Sequence, residues 1–257
     1  MDINLLALNV GNSRLAAGVF AGGELILVDR ISHEDRKTWE SQLRALWGKI
    51  AHGFRPAVAG ASVNPEIDLE LDHLVKQITG QNIQWVGRDL DFPTGVETDE
   101  PNKTGVDRIL NIAAAFEQME KSCIVVDAGT AITIDICNDN GDFLGGAIAP
   151  GINMMLDGLH ERTAALPRTQ FKIPEGAIGK NTDAAICEGI YHGIRGMVKE
   201  LAEQYATELG GWPEIIATGG DSEKLFAGWE LIHAISPDLT LYGIALAYTE
   251  HHIRHAT

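Results

Sequence analysis

One strand–turn–strand pattern occurs twice in this 257-residue chain, the copies 118 residues apart. A repeat at about half the chain length reads as a duplicated α/β unit. The second copy is the clearer. Ile124-Val125-Val126 leads into Asp127-Ala128-Gly129-Thr130, followed by the alternating run Ala131-Ile132-Thr133-Ile134-Asp135-Ile136. β-Branched residues on both sides of a short polar stretch with a glycine predict two strands and a tight turn. Asn140-Gly141 predicts a further hairpin turn into a third strand over residues 143–150. The first copy runs Leu5-Leu6-Ala7-Leu8, then Asn9-Val10-Gly11-Asn12-Ser13-Arg14, then an apolar strand to Phe20. A glycine-bearing turn at residues 21–24 leads on to Leu25-Ile26-Leu27-Val28. Asn9 falls on Asp127, Gly11 on Gly129 and Asn12 on Thr130.

An isolated Asp-Ala-Gly-Thr is usually an ordinary polar hairpin turn, and the repeat is what gives these turns weight. Glycine lets a backbone approach a ligand closely, while turn N–H groups and hydroxyls can hold phosphate oxygens. Asp127 adds a carboxylate able to hold a cation beside them. Two such turns facing each other across a cleft between lobes would receive a nucleotide.

Between the copies the chain alternates helix and strand. Apolar residues at helical spacing follow Ser32, an apolar run at residues 56–63 reads as a strand, residues 69–78 as a helix stopped by Gly80, and residues 83–86 as another strand. This order predicts a mixed sheet flanked by helices in each half, with lobes at 1–115 and 116–257. Residues 87–101 read as loop.

Three later segments hold candidate chemistry. In the first, Pro101-Asn102-Lys103-Thr104-Gly105-Val106-Asp107-Arg108 enters an alanine-rich helix. Asp107 in a first helical turn suits the partial positive charge of the helix end. It is either a helix-start residue or a general base beside Arg108, whose guanidinium can grip a carboxylate or phosphate in two places. In the second, Gly179-Lys180-Asn181-Thr182 opens a long helix, with Thr182 an N-cap or a ligand residue. In the third, a strand ends in Thr218-Gly219-Gly220, whose glycines clear space for a base or ribose. For His251, His252 and His255 no acid or cysteine partner makes a convincing set, so they read as a frayed helix end rather than a metal site.

Net charge is −16 with no Lys/Arg-rich block, which argues against a nucleic-acid surface but not against a nucleotide. No apolar run approaches the roughly 20 residues of a membrane span. The N-terminus lacks a basic region and does not read as a signal peptide. Three cysteines without a C-x-x-C read as buried thiols of a cytoplasmic protein.

Taken together, these segments resemble the type III pantothenate kinases, within the acetate and sugar kinase, Hsp70 and actin superfamily. The resemblance rests on Gly11-Asn12-Ser13, Pro101-x-x-x-Gly105-x-Asp107-Arg108, Asp127-x-Gly129-Thr130-Ala131-x-Thr133, Gly145-Gly146-x-Ile148-x-Pro150-Gly151, Thr163-Ala164-x-Leu166-Pro167, Gly179-x-Asn181-Thr182, Thr218-Gly219-Gly220 and Pro237-Asp238-Leu239. Each is weak alone, and their order and spacing are specific. The resemblance implies two RNase H-like lobes of the actin-like ATPase type, with ATP in the cleft. It implies phosphorylation of the pantothenate hydroxyl, the first step of coenzyme A synthesis. Gly105, Val106, Asp107 and Arg108 would then bind pantothenate, Asp107 as catalytic base and Arg108 on the carboxylate. Asn9, Val10, Gly11, Asn12, Ser13, Arg14, Gly129, Thr130, Thr133, Gly219 and Gly220 would hold ATP with Mg²⁺. Asp127 would hold a monovalent cation, K⁺ or NH4⁺, and Thr182 would reach the pantothenate site across a homodimer interface.

Two positions depart from the family pattern. Asn9 stands where an Asp is usual, so a carboxylate near the Mg²⁺–phosphate end is missing. Thr98 stands where many members carry Tyr. Two alternatives stay open here: a non-catalytic nucleotide-binding regulatory relative, and a kinase of the same superfamily with a different small acceptor.

Overall fold

Both copies of the repeat fold as antiparallel hairpins, and each seeds one sheet. The computed structural model describes residues 3–255. In the first half, β1 (Leu5–Val10), β2 (Arg14–Ala21) and β3 (Glu24–Ser32) form a meander. Ser32 accepts a hydrogen bond from the Glu34 amide at 3.2 Å and starts a short 3₁₀ turn. Helix α1 (Arg36–Trp47) therefore begins later than the apolar spacing suggested. Strand β4 (Ala57–Ser62) then lies parallel to β1. Helix α2 (Pro65–Thr79) starts four residues before the expected position. Pro65 is preset for a first helical turn, and Glu66 and Asp68 favour its positive end. Gly80 ends the helix in the left-handed region, at φ 75°. The short strand β5 (Gln84–Trp85) completes a sheet of order β3-β2-β1-β4-β5.

Helix α3 (Val106–Met119) precedes the second meander, β6 (Cys123–Ala128), β7 (Ala131–Cys137) and β8 (Phe143–Pro150). Helices α4 (Ile152–Glu161) and α5 (Thr182–Leu209) follow, then β9 (Glu214–Thr218) parallel to β6. After α6 (Ser222–Phe226), the two-residue β10 (Ala234–Ile235) lies parallel to β9. The sheet order is β10-β9-β6-β7-β8, the connectivity of the first sheet repeated. The duplication read from two turns is thus a duplication of two five-stranded sheets.

The last helix, α7 (Leu239–Arg254), departs from the halving at residue 115. The two units are Met1–Ala114 with Leu239–Thr257, and Ala115–Asp238. The reason is packing. Leu241 and Ile244 of α7 join Leu5, Ala7, Phe20 and Leu110 in one buried cluster of the first unit. Gly243 lies so close to the Leu110 backbone that a Cβ there would overlap it. The Thr240 hydroxyl donates to Asn111 Oδ1 at 2.7 Å in the same buried seam. On the other sheet face, α1 and α2 bury Trp39, Leu43, Leu46, Ile67 and Leu71 against β1, β2 and β4. In the second unit α4, α5 and α6 cover Ile124, Val126, Ile132, Ile134 and Ile215. All three cysteines are buried free thiols. Among the described residues, no helix is long and apolar enough to cross a membrane.

Candidate active site

In the second unit, the β6–β7 turn gathers an acid, threonines and glycines. Asp127 pairs in register with Thr133 on β7 and with Thr218 on β9. The turn is tight: the Gly129 amide donates to the Ala131 carbonyl at 3.1 Å. Gly219, at φ +89°, presses on Asp127 Oδ1 and the Ala128 carbonyl so closely that no side chain fits there. Gly151 is packed just as tightly on the carbonyls of Gly129 and Thr130, and its amide donates to the Thr130 carbonyl at 3.1 Å. These neighbours hold the turn from behind and leave Thr130 and Gly220 exposed. Asp127 is half-buried at the end of its strand.

Sequence reasoning missed the support under Thr133. Its hydroxyl donates to Asp135 Oδ2 at 2.8 Å, and Asp135 is fully buried. A hydroxyl committed to that carboxylate offers its oxygen lone pairs, not its proton, to a ligand. Asp135 lies in register with Gly146, where a Cβ would fall 2.6 Å from its carboxylate. The available signal was an acid in mid-strand with a Gly-Gly pair on the returning strand.

The corresponding turn of the first unit is one residue longer. The Gly11 amide donates to the Arg14 carbonyl at 3.1 Å, and Asn12, Ser13 and Arg14 are exposed. Asn9 is half-buried, and its register partners are Ala16 and Ala61, which carry no hydroxyl. A Cβ on Gly11 would meet only the Arg14 carbonyl at 3.4 Å, an ordinary contact. Folding therefore does not require glycine at position 11. His33 is the residue sequence reasoning missed here. Its Nε2 hydrogen-bonds the Gly11 carbonyl at 2.8 Å, and its ring packs edge-on against Trp39.

The third element is the start of α3. Gly105 accepts from the Arg108 amide at 3.1 Å and so opens the helix, with Asp107 in its first turn. The Arg108 amide also donates to Asp107 Oδ1 at 2.9 Å. Asp107 folds back over Gly105, where a Cβ would stand 2.8 Å from that same oxygen. Gly105 is the space the carboxylate occupies. Burial raises the Asp107 pKa above its ordinary value, against the lowering effects of the Arg108 amide and guanidinium. A carboxylate destabilised by burial is a better proton acceptor than a solvated one. Thr98 hydrogen-bonds Thr104 at 3.0 Å, hydroxyl to hydroxyl, just before this segment.

Thr182 is not the cap of α5. Asn181 is, its side chain accepting from the Ala184 amide at 2.9 Å, and Thr182 is the exposed first helical residue. Asn181 and Thr182 are both capping types, and only backbone geometry separates them. A cavity of about 680 Å³ opens beside this helix start, lined by Thr169, Ile173, Pro174, Lys180, Asp183 and Cys187 among others.

Residues 5–204 match the family model described as type III pantothenate kinase. The chain belongs to the type III pantothenate kinase family. A type III pantothenate kinase of Solibacter usitatus is 34% identical over 253 residues, covering 96% of this chain and 97% of that protein. One from Brevibacillus brevis is 32% identical over 249 residues, covering 95% and 98%. Among solved structures, a Baf family transcriptional activator from Campylobacter jejuni superposes with a TM-score of 0.62 at 23% identity, covering 95% of this chain and 98% of that one. MreB5 of Spiroplasma citri, solved with AMPPNP, gives 0.53 at 12% identity over the whole of both chains. At those identities the structures speak for the fold alone, which is that of the actin-like ATPases.

Proposed function

We propose that this chain catalyses its family's reaction, ATP-dependent phosphorylation of pantothenate to 4′-phosphopantothenate, the first step of coenzyme A synthesis. The observation that carries this reading is Asp107 folded over Gly105 beside Arg108, with its pKa raised by burial. An acid partly withdrawn from solvent at a helix start, beside an arginine, is the arrangement a general base needs.

Asp107 takes the proton of the attacking pantothenate hydroxyl, and Arg108 grips the pantothenate carboxylate in two places. A positioned base contributes about 10²–10⁴-fold. Phosphoryl transfer otherwise needs alignment and charge neutralisation more than covalent help. The phosphate-binding residues of this reading are the exposed Asn12, Ser13 and Arg14 in the first unit and, in the second, Thr130 with the glycines beside it. Thr133 and the Gly219–Gly220 step complete the nucleotide contacts. The donor set fits Mg²⁺ with ATP, which neutralises phosphate charge when bound, although Asn9 supplies no carboxylate to it. Asp127, pressed between glycines, holds K⁺ or NH4⁺. The enzyme works as a cytoplasmic homodimer, with Thr182 reaching the pantothenate site of the partner subunit.

The test is ADP formation with ATP and Mg²⁺, with and without pantothenate, in K⁺ and in Na⁺. Pantothenate-dependent ADP release that needs K⁺ is the expected outcome. ATP binding with no release for pantothenate would move the chain to a regulatory role or another acceptor.

A further inference from the structure

The fold brings a distant acid to two of the three C-terminal histidines. Asp91, His251 and His255 converge, each offering one ligand atom, with all three atoms within 4.8 Å of one another. His251 lies in the last turn of α7 and His255 follows directly after its end, its amide donating to the His251 carbonyl at 3.1 Å, while Asp91 comes from the loop after β5. We propose that these three side chains form a surface site for a divalent transition-metal ion of the Zn²⁺ class.

The loop holds Asp91 in place. The Leu90 amide donates to the Trp85 carbonyl at 3.1 Å, and the Gly87 amide to the Leu90 carbonyl at 2.7 Å. Leu90 is itself buried in the core of the first unit. The acid is therefore presented from a bonded turn rather than a floppy loop.

His251 Nδ1 stands 3.2 Å from Asp91 Oδ2, the distance of a hydrogen bond or ion pair when that nitrogen carries a proton. With Nδ1 deprotonated, the two atoms can ligate one cation together. Two donors bound to one tetrahedral zinc at about 2.0–2.2 Å stand about 3.3–3.5 Å apart, close to this spacing. His255 is oriented for the same task. Its Nδ1 hydrogen-bonds the His251 carbonyl at 2.8 Å, which leaves Nε2 as the free ligand atom. A backbone carbonyl fixing the second ring nitrogen is the usual support of a metal-bound imidazole. The two rings stack at 4.2 Å between centroids. Two imidazoles and one carboxylate select Zn²⁺, Co²⁺ or Ni²⁺ over Mg²⁺ and Ca²⁺. Three protein ligands leave a fourth position to water. His252, on the same turn, lies outside the three converging ligand atoms, its ring packed on Tyr248 at 4.3 Å between centroids.

Such an ion would clip α7 to a loop 160 residues earlier in the chain and so brace the first unit. The experiment uses the full chain without an affinity tag, metal-stripped, with millimolar Mg²⁺ present to occupy hard-cation sites. Zn²⁺ is titrated calorimetrically, and Co²⁺ is followed by its visible absorption. One equivalent should bind, with the intense visible bands of a tetrahedral Co²⁺ centre and a rise in Tm. Asp91→Ala and His255→Ala should each weaken binding at least tenfold and abolish the rise in Tm. His252→Ala should leave both unchanged. No stoichiometric binding in the native chain would overturn the site and leave an Asp–His ion pair only. Full-strength binding in both Asp91→Ala and His255→Ala would overturn it as well, since the ion would then sit elsewhere. Neither outcome touches the kinase reading, which has its own assay.

Discussion

The two turns that begin the two sheets share connectivity and differ in chemistry. In the second unit Asp127 faces Thr133 and Thr218 in register and is pressed by Gly219. In the first, Asn9 faces Ala16 and Ala61, and the turn is one residue longer. Duplication has kept the backbone device and changed the side chains around it. In the proposed reading the turn with Asp127 and its threonines holds a cation, and the longer turn, without a carboxylate, offers amides and exposed side chains to phosphate oxygens. The lesson is that a repeat in fold does not imply a repeat in role. Register partners, which the linear sequence hides, tell the copies apart.

The sharpest way to break this comparison is Asp127→Asn. Losing the carboxylate should lower turnover by about 10²–10³-fold, the scale of losing one fixed electrostatic contact, and remove the difference between K⁺ and Na⁺. Retained K⁺ dependence in steady-state assays would mean that the cation sits elsewhere. Next in size is the reverse change, Asn9→Asp. It should raise turnover at limiting Mg²⁺ by about 10–100-fold, the usual weight of an outer-shell metal partner. An unchanged Mg²⁺ titration would show that this turn never needed the charge.

The glycines should separate by stability. Gly219→Ala places a Cβ against Asp127 and Ala128 at a positive φ. Strain of about 1–3 kcal/mol follows, read as a fall in Tm of roughly 2–4 °C per kcal/mol. Gly11→Ala meets only one ordinary contact and should cost under about 1 kcal/mol while weakening ATP binding. A Gly11→Ala protein as unstable as Gly219→Ala would remove ligand approach as the reason for that glycine. The smallest effect expected is at the α5 cap, where Asn181→Ala should cost about 1 kcal/mol. Thr182→Ala should leave Tm unchanged, because Thr182 caps nothing.

Much of this was legible in the chain itself. The β-branched runs around Gly11 and Gly129 mark local hairpins, and their spacing marks the duplication. Asp107 and Arg108 were legible as the start of an alanine-rich helix. What sequence could not show was contact between distant segments. Nothing near Leu239 says that α7 belongs with β1 and β4 rather than with the strands that precede it. His33 under Gly11, and Asp91 beside His251, are pairings that only the fold makes. Asn181 and Thr182 compete for one cap with equal chemistry, and backbone geometry decides between them. Asp135 hides inside an apolar strand because Gly146 makes room for it on the neighbouring one.

The central claim is that Asp107 is the base of a pantothenate kinase, and Asp107→Asn tests it most directly. Because burial raises the Asp107 pKa, ionising it costs stability as pH rises through that value. At neutral pH the Asn variant should therefore melt no lower than the native chain. In the native enzyme kcat/KM should fall as pH drops through a pKa above the ordinary 3.8 of Asp. The measurement is pantothenate-dependent ADP release at pH 7 for both proteins, with Tm recorded alongside. The account predicts a loss of about 10²–10⁴-fold with Tm kept. A folded Asp107→Asn protein turning over at the native rate would contradict it.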